Sequence, residues 1–208
     1  MTSILLVAAT AAEIAPLPKT WPAGVQVEVL ISGVGMVATT ASLTKKLGEK
    51  GFDLAIQAGI AGSFRRDIQP GDVFEVTEDR FSELGAEDGE SFLPIEELGF
   101  GSGCATPLKP FSPGIFPQIA LPAADAITVN TVHGNERTIE LLRHRFPVAL
   151  ESMEGAAFFY VCELFKQPCL QIRAVSNYVE RRNRANWNIG LAVKNLNNTL
   201  GELLSRFA

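Results

Sequence analysis

The sequence predicts an α/β fold built on a largely parallel, twisted sheet. Two observations carry this. Short apolar runs of strand length alternate along the chain with longer segments whose apolar residues recur at helical spacing. The first run, SILLVAA at 3–9, is continuously apolar after its serine, as expected of a strand covered on both faces.

Each element follows from its own pattern. VQVEVLIS (25–32) alternates before becoming apolar, and LAIQAG (54–59), DVFEVT (72–77), AITVN (126–130) and CLQIRAVS (169–176) complete the strands. Helices are predicted over 36–50, 135–145, 153–166 and 188–207. The last carries Ile189, Val193, Leu196, Leu200, Leu203, Leu204 and Phe207, a stripe at 3.6-residue periodicity. Segment 153–166 is apolar nearly all round and predicts a buried helix. Residues 79–123 break the alternation. They hold Pro94, Pro107, Pro110, Pro113, Pro117 and Pro122 with many glycines, and predict a long irregular excursion.

The 208 residues are 47% hydrophobic, which suits one domain, 1–208, with a sizeable core. A net charge of −5 argues against nucleic acid as a partner, since neutralising phosphates requires clustered lysine and arginine. The one basic cluster, Arg181, Arg182 and Arg184, is short. No apolar run reaches the ~18 residues of a membrane span. SILLVAATAA imitates a secretory core, but no Lys or Arg precedes Lys19, so the basic leader is missing. Cys104, Cys162 and Cys169 form no CxxC pair, and the expectation is reduced thiols in a cytoplasmic protein. With only His133 and His144, and neither HExxH nor GxSxG, no metal and no cofactor are expected. The chemistry falls to carboxylates, amides and backbone groups.

Several segments are candidates for it. GVGMVA (33–38) follows a strand, opens a helix and matches the dinucleotide fingerprint G-x-G-x-x-A. That fingerprint wants an acid ending the next strand, yet Asp53 begins it and Gly59 ends it, so a glycine turn approached by some other ligand is favoured. AGIAGSF (58–64) is a second glycine-rich strand end, either a tight turn or backbone that a ligand approaches closely at Gly59 and Ser63. Glu13 stands three residues after Thr10, the spacing of a capping box, but equally at the C-terminal edge of the first strand, facing a cleft. Glu154 precedes an apolar helix, where a carboxylate either interacts with the helix dipole or binds something. Asn177 ends the last strand, as a turn residue or as a reader of a ligand.

AATAAEIAPL, GVGMVATTASL, AGIAGSF, RHRFP, ESMEGAAFFYVC and IRAVSN occur in the order and spacing of the nucleoside phosphorylase and nucleosidase superfamily, and resemble the methylthioadenosine/S-adenosylhomocysteine nucleosidase type most. The resemblance covers nearly the whole chain and is weakest over 79–123. SNYVE followed by RNR and a tryptophan, with ELGAEDGE at 83–90, resembles the futalosine hydrolase subgroup. It implies a central mixed sheet flanked by helices, a nucleoside substrate, cleavage of a purine N-glycosidic bond and a homo-oligomer, dimer or higher. It also implies roles: Glu13 activating water, Glu154 holding the ribose hydroxyls, Met153 packing on the sugar, Asn177 with Val132 and His133 contacting the purine.

The sequence departs from adenine-specific relatives where their purine-contacting aspartate is replaced by Asn177, and where Ser152 replaces an acid before Met153. It departs from hexameric phosphorylases where Gln57 stands for their phosphate-binding arginine. An amide donates to both O6 and N7 of a 6-oxopurine, whereas an ionised carboxylate repels them, so Asn177 points to hypoxanthine, the base of futalosine. A 6-oxopurine phosphorylase and an adenine-type nucleosidase are the alternatives. Arg181, Arg182 and Arg184 are candidate contacts for the carboxylate on the 5′ side of futalosine, or a solvated loop. Residues 79–100, with Phe81, Glu83 and Phe92, are a candidate lid.

Overall fold

The computed structural model describes residues 1–18, 20–21, 23–109 and 120–207. Strand β1 (Thr2–Ala8) leads to a short helix α1 (Ala11–Ile14), then β2 (Val25–Ile31), α2 (Met36–Glu49), β3 (Leu54–Ser63) and β4 (Val73–Phe81). Three short strands follow: β5 (Gly85–Asp88), β6 (Ser91–Pro94) and β7 (Cys104–Ala105). The rest is β8 (Ala123–Thr128), α3 (Glu136–Arg145), β9 (Leu150–Ser152), α4 (Gly155–Leu164), β10 (Cys169–Tyr178), a 3-10 turn at Arg184–Asn186, and α5 (Ile189–Ser205).

The parallel ladder β2-β1-β3-β10 forms one half of the sheet. β10 continues antiparallel to β4, β4 parallel to β8, β8 parallel to β9, and β9 antiparallel back to the end of β3. The sheet is thus mixed and closes on itself through β3, which exchanges β1 for β9 as its neighbour. Both faces of β1 are covered, which explains its unbroken apolar run. Leu5 and Val7 pack with Leu43 and Leu47 of α2 and with Phe158 and Phe159 of α4. Ile4 and Leu6 point the other way and pack with Leu196, Leu200 and Leu203 of α5.

The expected helices appear within a residue or two. Strands β3 and β4 run several residues further than their apolar patterns. The irregular excursion over 79–123 is corrected in its described part. Residues 79–81 continue β4, and β5 and β6 form a hairpin around Gly89-Glu90, with Asp88 opposite Ser91 and Gly89 at φ +63°. β7 then pairs with β4. A glycine at the first loop position, free to take φ +63°, outweighs the prolines here; Pro110, Pro113 and Pro117 lie outside the described residues.

Parallel strands bring their C-terminal ends to one edge. Glu13 follows β1, Gly35 follows β2, Gly62 is near the end of β3 and Asn177 near the end of β10, so four segments far apart in sequence meet there.

Candidate active site

A cavity of about 350 Å³ opens at that edge, a volume suited to a small-molecule ligand. Glu13, Met153, Glu154, Asn177, Val132 and His133 all line it, so six of the predicted residues share one space.

Glu13 resolves its two readings by satisfying both. Its Oε2 accepts from the Thr10 backbone N–H at 2.9 Å and from the Thr10 hydroxyl at 3.0 Å, closing the capping box. Its Oε1 accepts from Ile60 N at 3.2 Å, and the carboxylate still reaches the cavity although the residue is only 8% exposed. The Asn197 amide of α5 donates to the Glu13 carbonyl at 2.8 Å and ties α1 down.

Glu154, between β9 and α4, accepts from Gly35 N at 3.0 Å, and its other oxygen lies 3.5 Å from Arg173 Nη1. The GVGMVA turn reaches the cavity through Val34. Gly35, at φ +93°, turns its N–H onto the protein's own Glu154 carboxylate.

Arg173 was not singled out from the sequence, and it organises the site. It is 1% exposed in the middle of β10. Its Nε donates to Gln171 at 2.7 Å and its Nη2 to Gln57 at 2.8 Å. Gln171 in turn donates to Asp79 at 3.2 Å, and Thr128 donates to the same carboxylate at 2.8 Å. Burial pushes the Asp79 carboxyl up to about 6, against the opposing pull of Thr128 and Arg173. The available signal was an arginine inside an apolar strand, since a buried cation must be paired.

Gly59 is corrected on the same ground. A Cβ there would stand 2.3 Å from Arg173 Nη1 and 3.0 Å from Glu13 Oε1. The missing side chain makes room for a guanidinium near both carboxylates, not for a ligand, and Gly59 does not line the cavity. Ser63 is corrected too. It is fully buried, its hydroxyl donates to the Arg65 carbonyl at 3.0 Å, and it lies off the cavity. Ile60, Ala61 and Gly62 are the β3 residues that reach it.

Asn177 sits at a bulge where β10 slips against β3. Its Nδ2 donates to the Tyr178 carbonyl at 2.9 Å, and its Oδ1 accepts from the Ser176 hydroxyl at 2.7 Å. A carbonyl only accepts, so these bonds set which end of the amide is nitrogen and leave that nitrogen one further N–H. Opposite, His133 Nδ1 lies 2.5 Å from Glu151 Oε2 and His133 N donates to Glu151 Oε1 at 2.9 Å. The bond to Glu151 raises the His133 pKa above its ordinary value. Glu151 lines the cavity and had no signal of its own in the sequence.

Of the three arginines, only Arg182 lines the cavity, with its guanidinium 5.2 Å from the Trp187 ring. Arg181 and Arg184 are exposed and lie outside it. None of 79–100 lines it either. Phe92 is held 3.9 Å from the Arg145 guanidinium and Glu83 accepts from Asn130 Nδ2 at 3.1 Å, which removes the support for a lid. Among the described residues, no group of three or more His, Cys, Asp or Glu is arranged to hold a metal ion.

Comparison with known proteins agrees with this architecture. The family model of the Phosphorylase superfamily matches residues 122–208. The futalosine hydrolase of Streptomyces coelicolor is 34% identical over 193 residues, covering 90% of this chain and 80% of that one. The futalosine hydrolase of Acidothermus cellulolyticus is 30% identical over 186 residues, covering 85% and 74%. Among solved structures, a mutant of the Helicobacter pylori MTAN with 5′-methylthioadenosine in its active site superposes with a TM-score of 0.82 at 18% identity over 99% of both chains, a likeness of fold. The chain belongs to the futalosine hydrolase family, within the phosphorylase superfamily.

Proposed function

We propose that the protein hydrolyses the N-glycosidic bond of futalosine, releasing hypoxanthine and dehypoxanthinyl futalosine, a step of menaquinone biosynthesis by the futalosine route. The observation that carries the reading is a pair of buried carboxylates, Glu13 and Glu154, brought to one cavity with the Asn177 amide, Glu154 being paired with the buried Arg173.

Cleaving a ribosyl–purine bond builds positive charge on the sugar and negative charge on the base. Glu154 accepts from the 2′- and 3′-hydroxyls and stabilises the cationic sugar, a preorganised electrostatic role. Gly35 and Arg173 hold it in place without reorganisation. Met153 packs on the sugar. Glu13 takes a proton from water as its oxygen bonds to the anomeric carbon, and the bonding pair of the broken C–N bond leaves with the purine. The free N–H of Asn177 supports the charge arriving at N7 and O6. Asn177 supplies no proton, so the departing base is protonated by water. Arg182, beside Trp187 at the cavity, is the cation that meets the carboxylate on the 5′ side of the substrate.

The phosphorylase alternative wants a cation where Gln57 stands, and the Gln57 carbonyl is already engaged by Arg173. Free hypoxanthine released from futalosine and from inosine, followed with and without phosphate, tests the assignment. Phosphate-independent release from futalosine is expected; strict dependence on phosphate would refute hydrolysis.

The partner is a small-molecule nucleoside. No helix among the described residues is long and apolar enough to cross a membrane. A cytoplasmic location is supported by three free cysteines, Cys104, Cys162 and Cys169. Self-association is supported by the apolar side chains left open on α2 and α4, among them Val37 at 79% and Leu164 at 65% exposure.

A further inference from the structure

We propose that Glu151, positioned by His133, reads the N1 edge of the purine and thereby selects 6-oxopurines together with Asn177. The inference rests on the hydrolase reading and adds a second specificity contact to it.

The sheet places these two side chains as a pair. Glu151 lies opposite Gly62 in the β9–β3 ladder, and Asn177 lies opposite the same Gly62 in the β10–β3 ladder. The two residues therefore flank one position of β3. With adjacent strands ~4.8 Å apart, their backbones are roughly 10 Å from each other. Both reach the cavity. Position 62 is glycine, and a Cβ there would come within 2.9 Å of Val179 and 3.3 Å of Asn177 Nδ2, so any side chain at 62 would crowd the Asn177 amide. The six-membered edge of a purine, with a hydrogen bond at each end, matches that span.

The chemistry of the pair is complementary to one class of base. A 6-oxopurine presents a donor at N1 and acceptors at O6 and N7. A 6-aminopurine reverses this, with an acceptor at N1 and a donor at the 6-amino group. The Asn177 amide nitrogen, one hydrogen committed to Tyr178, offers a donor to O6 and N7. An ionised carboxylate at Glu151 offers only acceptors. Each of its oxygens takes one bond from His133, at 2.9 Å from the backbone N–H and 2.5 Å from Nδ1, and each keeps capacity for a second. It therefore accepts N1–H of hypoxanthine and opposes the N1 lone pair of adenine. His133 acts through Glu151: with two bonds it holds the carboxylate, whose side chain is 3% exposed, in one orientation.

The test measures free bases rather than turnover. Binding of hypoxanthine, 1-methylhypoxanthine and adenine to the full-length protein is followed by titration calorimetry. The wild type should bind hypoxanthine at least ~10-fold more tightly than either other base, the scale on which a site rejects a mismatched buried group. In Glu151→Ala, hypoxanthine should weaken by at least ~10-fold while 1-methylhypoxanthine gains and overtakes it. In Glu151→Gln, whose amide donates to an unprotonated N1, adenine should gain by a similar factor. A wild-type ratio of hypoxanthine to 1-methylhypoxanthine near one overturns the proposal. So does a uniform loss for all three bases in the folded variants, which would mark Glu151 as structural. If Glu151→Ala does not fold, Glu151→Gln with adenine decides. Failure of the hydrolase reading is separate: it appears as absence of phosphate-independent hypoxanthine release by the wild type, whatever the base affinities.

Discussion

Replacing Gly59 by alanine adds one methyl group at the centre of the carboxylate–guanidinium arrangement. The new Cβ would lie 2.3 Å from Arg173 Nη1 and 3.4 Å from its Cζ, and 3.0 Å from Glu13 Oε1. Ordinary contact begins near 3.4 Å, so the guanidinium must yield by roughly 1 Å. It has little freedom to do so. Its Nε and Nη2 are committed to Gln171 and Gln57, and its side chain is enclosed. Overpacking of this kind costs about 1–3 kcal/mol. At about 2–4 °C per kcal/mol for a chain of this length, the melting temperature should fall by about 2–12 °C. Activity should suffer more than stability. A displacement of about 1 Å in positioning groups can cost on the order of 10²-fold in rate; Arg173 is paired with Glu154, and the new methyl would press on Glu13 as well. Steady-state release of hypoxanthine from futalosine, alongside thermal melting, checks both figures. A Gly59→Ala protein with wild-type melting and wild-type kcat would refute the claim that this glycine exists to admit Arg173.

Three further outcomes are expected. Glu13→Gln should retain hypoxanthine affinity and lose about 10²–10⁴-fold in kcat, as for a lost general base; near-wild-type turnover would move that role elsewhere. Asn177→Asp should shift kcat/KM from futalosine toward its 6-amino analogue by about 10–100-fold, since a mismatched buried group costs roughly 1–3 kcal/mol. The third concerns Asp79, whose folded-state pKa is raised from 3.8 to about 6 by burial. The folded state holds this proton where the unfolded chain has released it, so stability should fall as pH rises from about 4 to about 6. The span corresponds to about 3 kcal/mol. Urea denaturation of the wild type and of Asp79→Asn across that range should show the slope in the first and its loss in the second.

The α/β class was legible in the alternation of apolar runs with helical stripes, because burial on both faces of β1 and on one stripe of α5 leaves a periodic trace. The edge carrying the site was legible too, since Glu13, Glu154 and Asn177 each stand at a boundary of a predicted element, where a polar side chain is not required by the core. The hairpin β5–β6 had a local signal in Gly89-Glu90, overshadowed by the prolines around it.

What tertiary structure alone decided is which groups meet. Arg173 finds Gln57 across 116 positions, Gly35 finds Glu154 across 119, and Glu151 faces His133 from 18 residues away through β9 and the loop after β8. Periodicity records whether a side chain is buried, not what it is buried against. The glycines show the difference most plainly. As sequence, Gly35 and Gly59 are small residues at strand ends and indicate an approaching ligand; in the fold, one N–H and one missing Cβ serve the protein's own Glu154 and Arg173. Hydrogen bonds and close contacts depend on distances that chain folding sets between remote positions, and no local pattern encodes them.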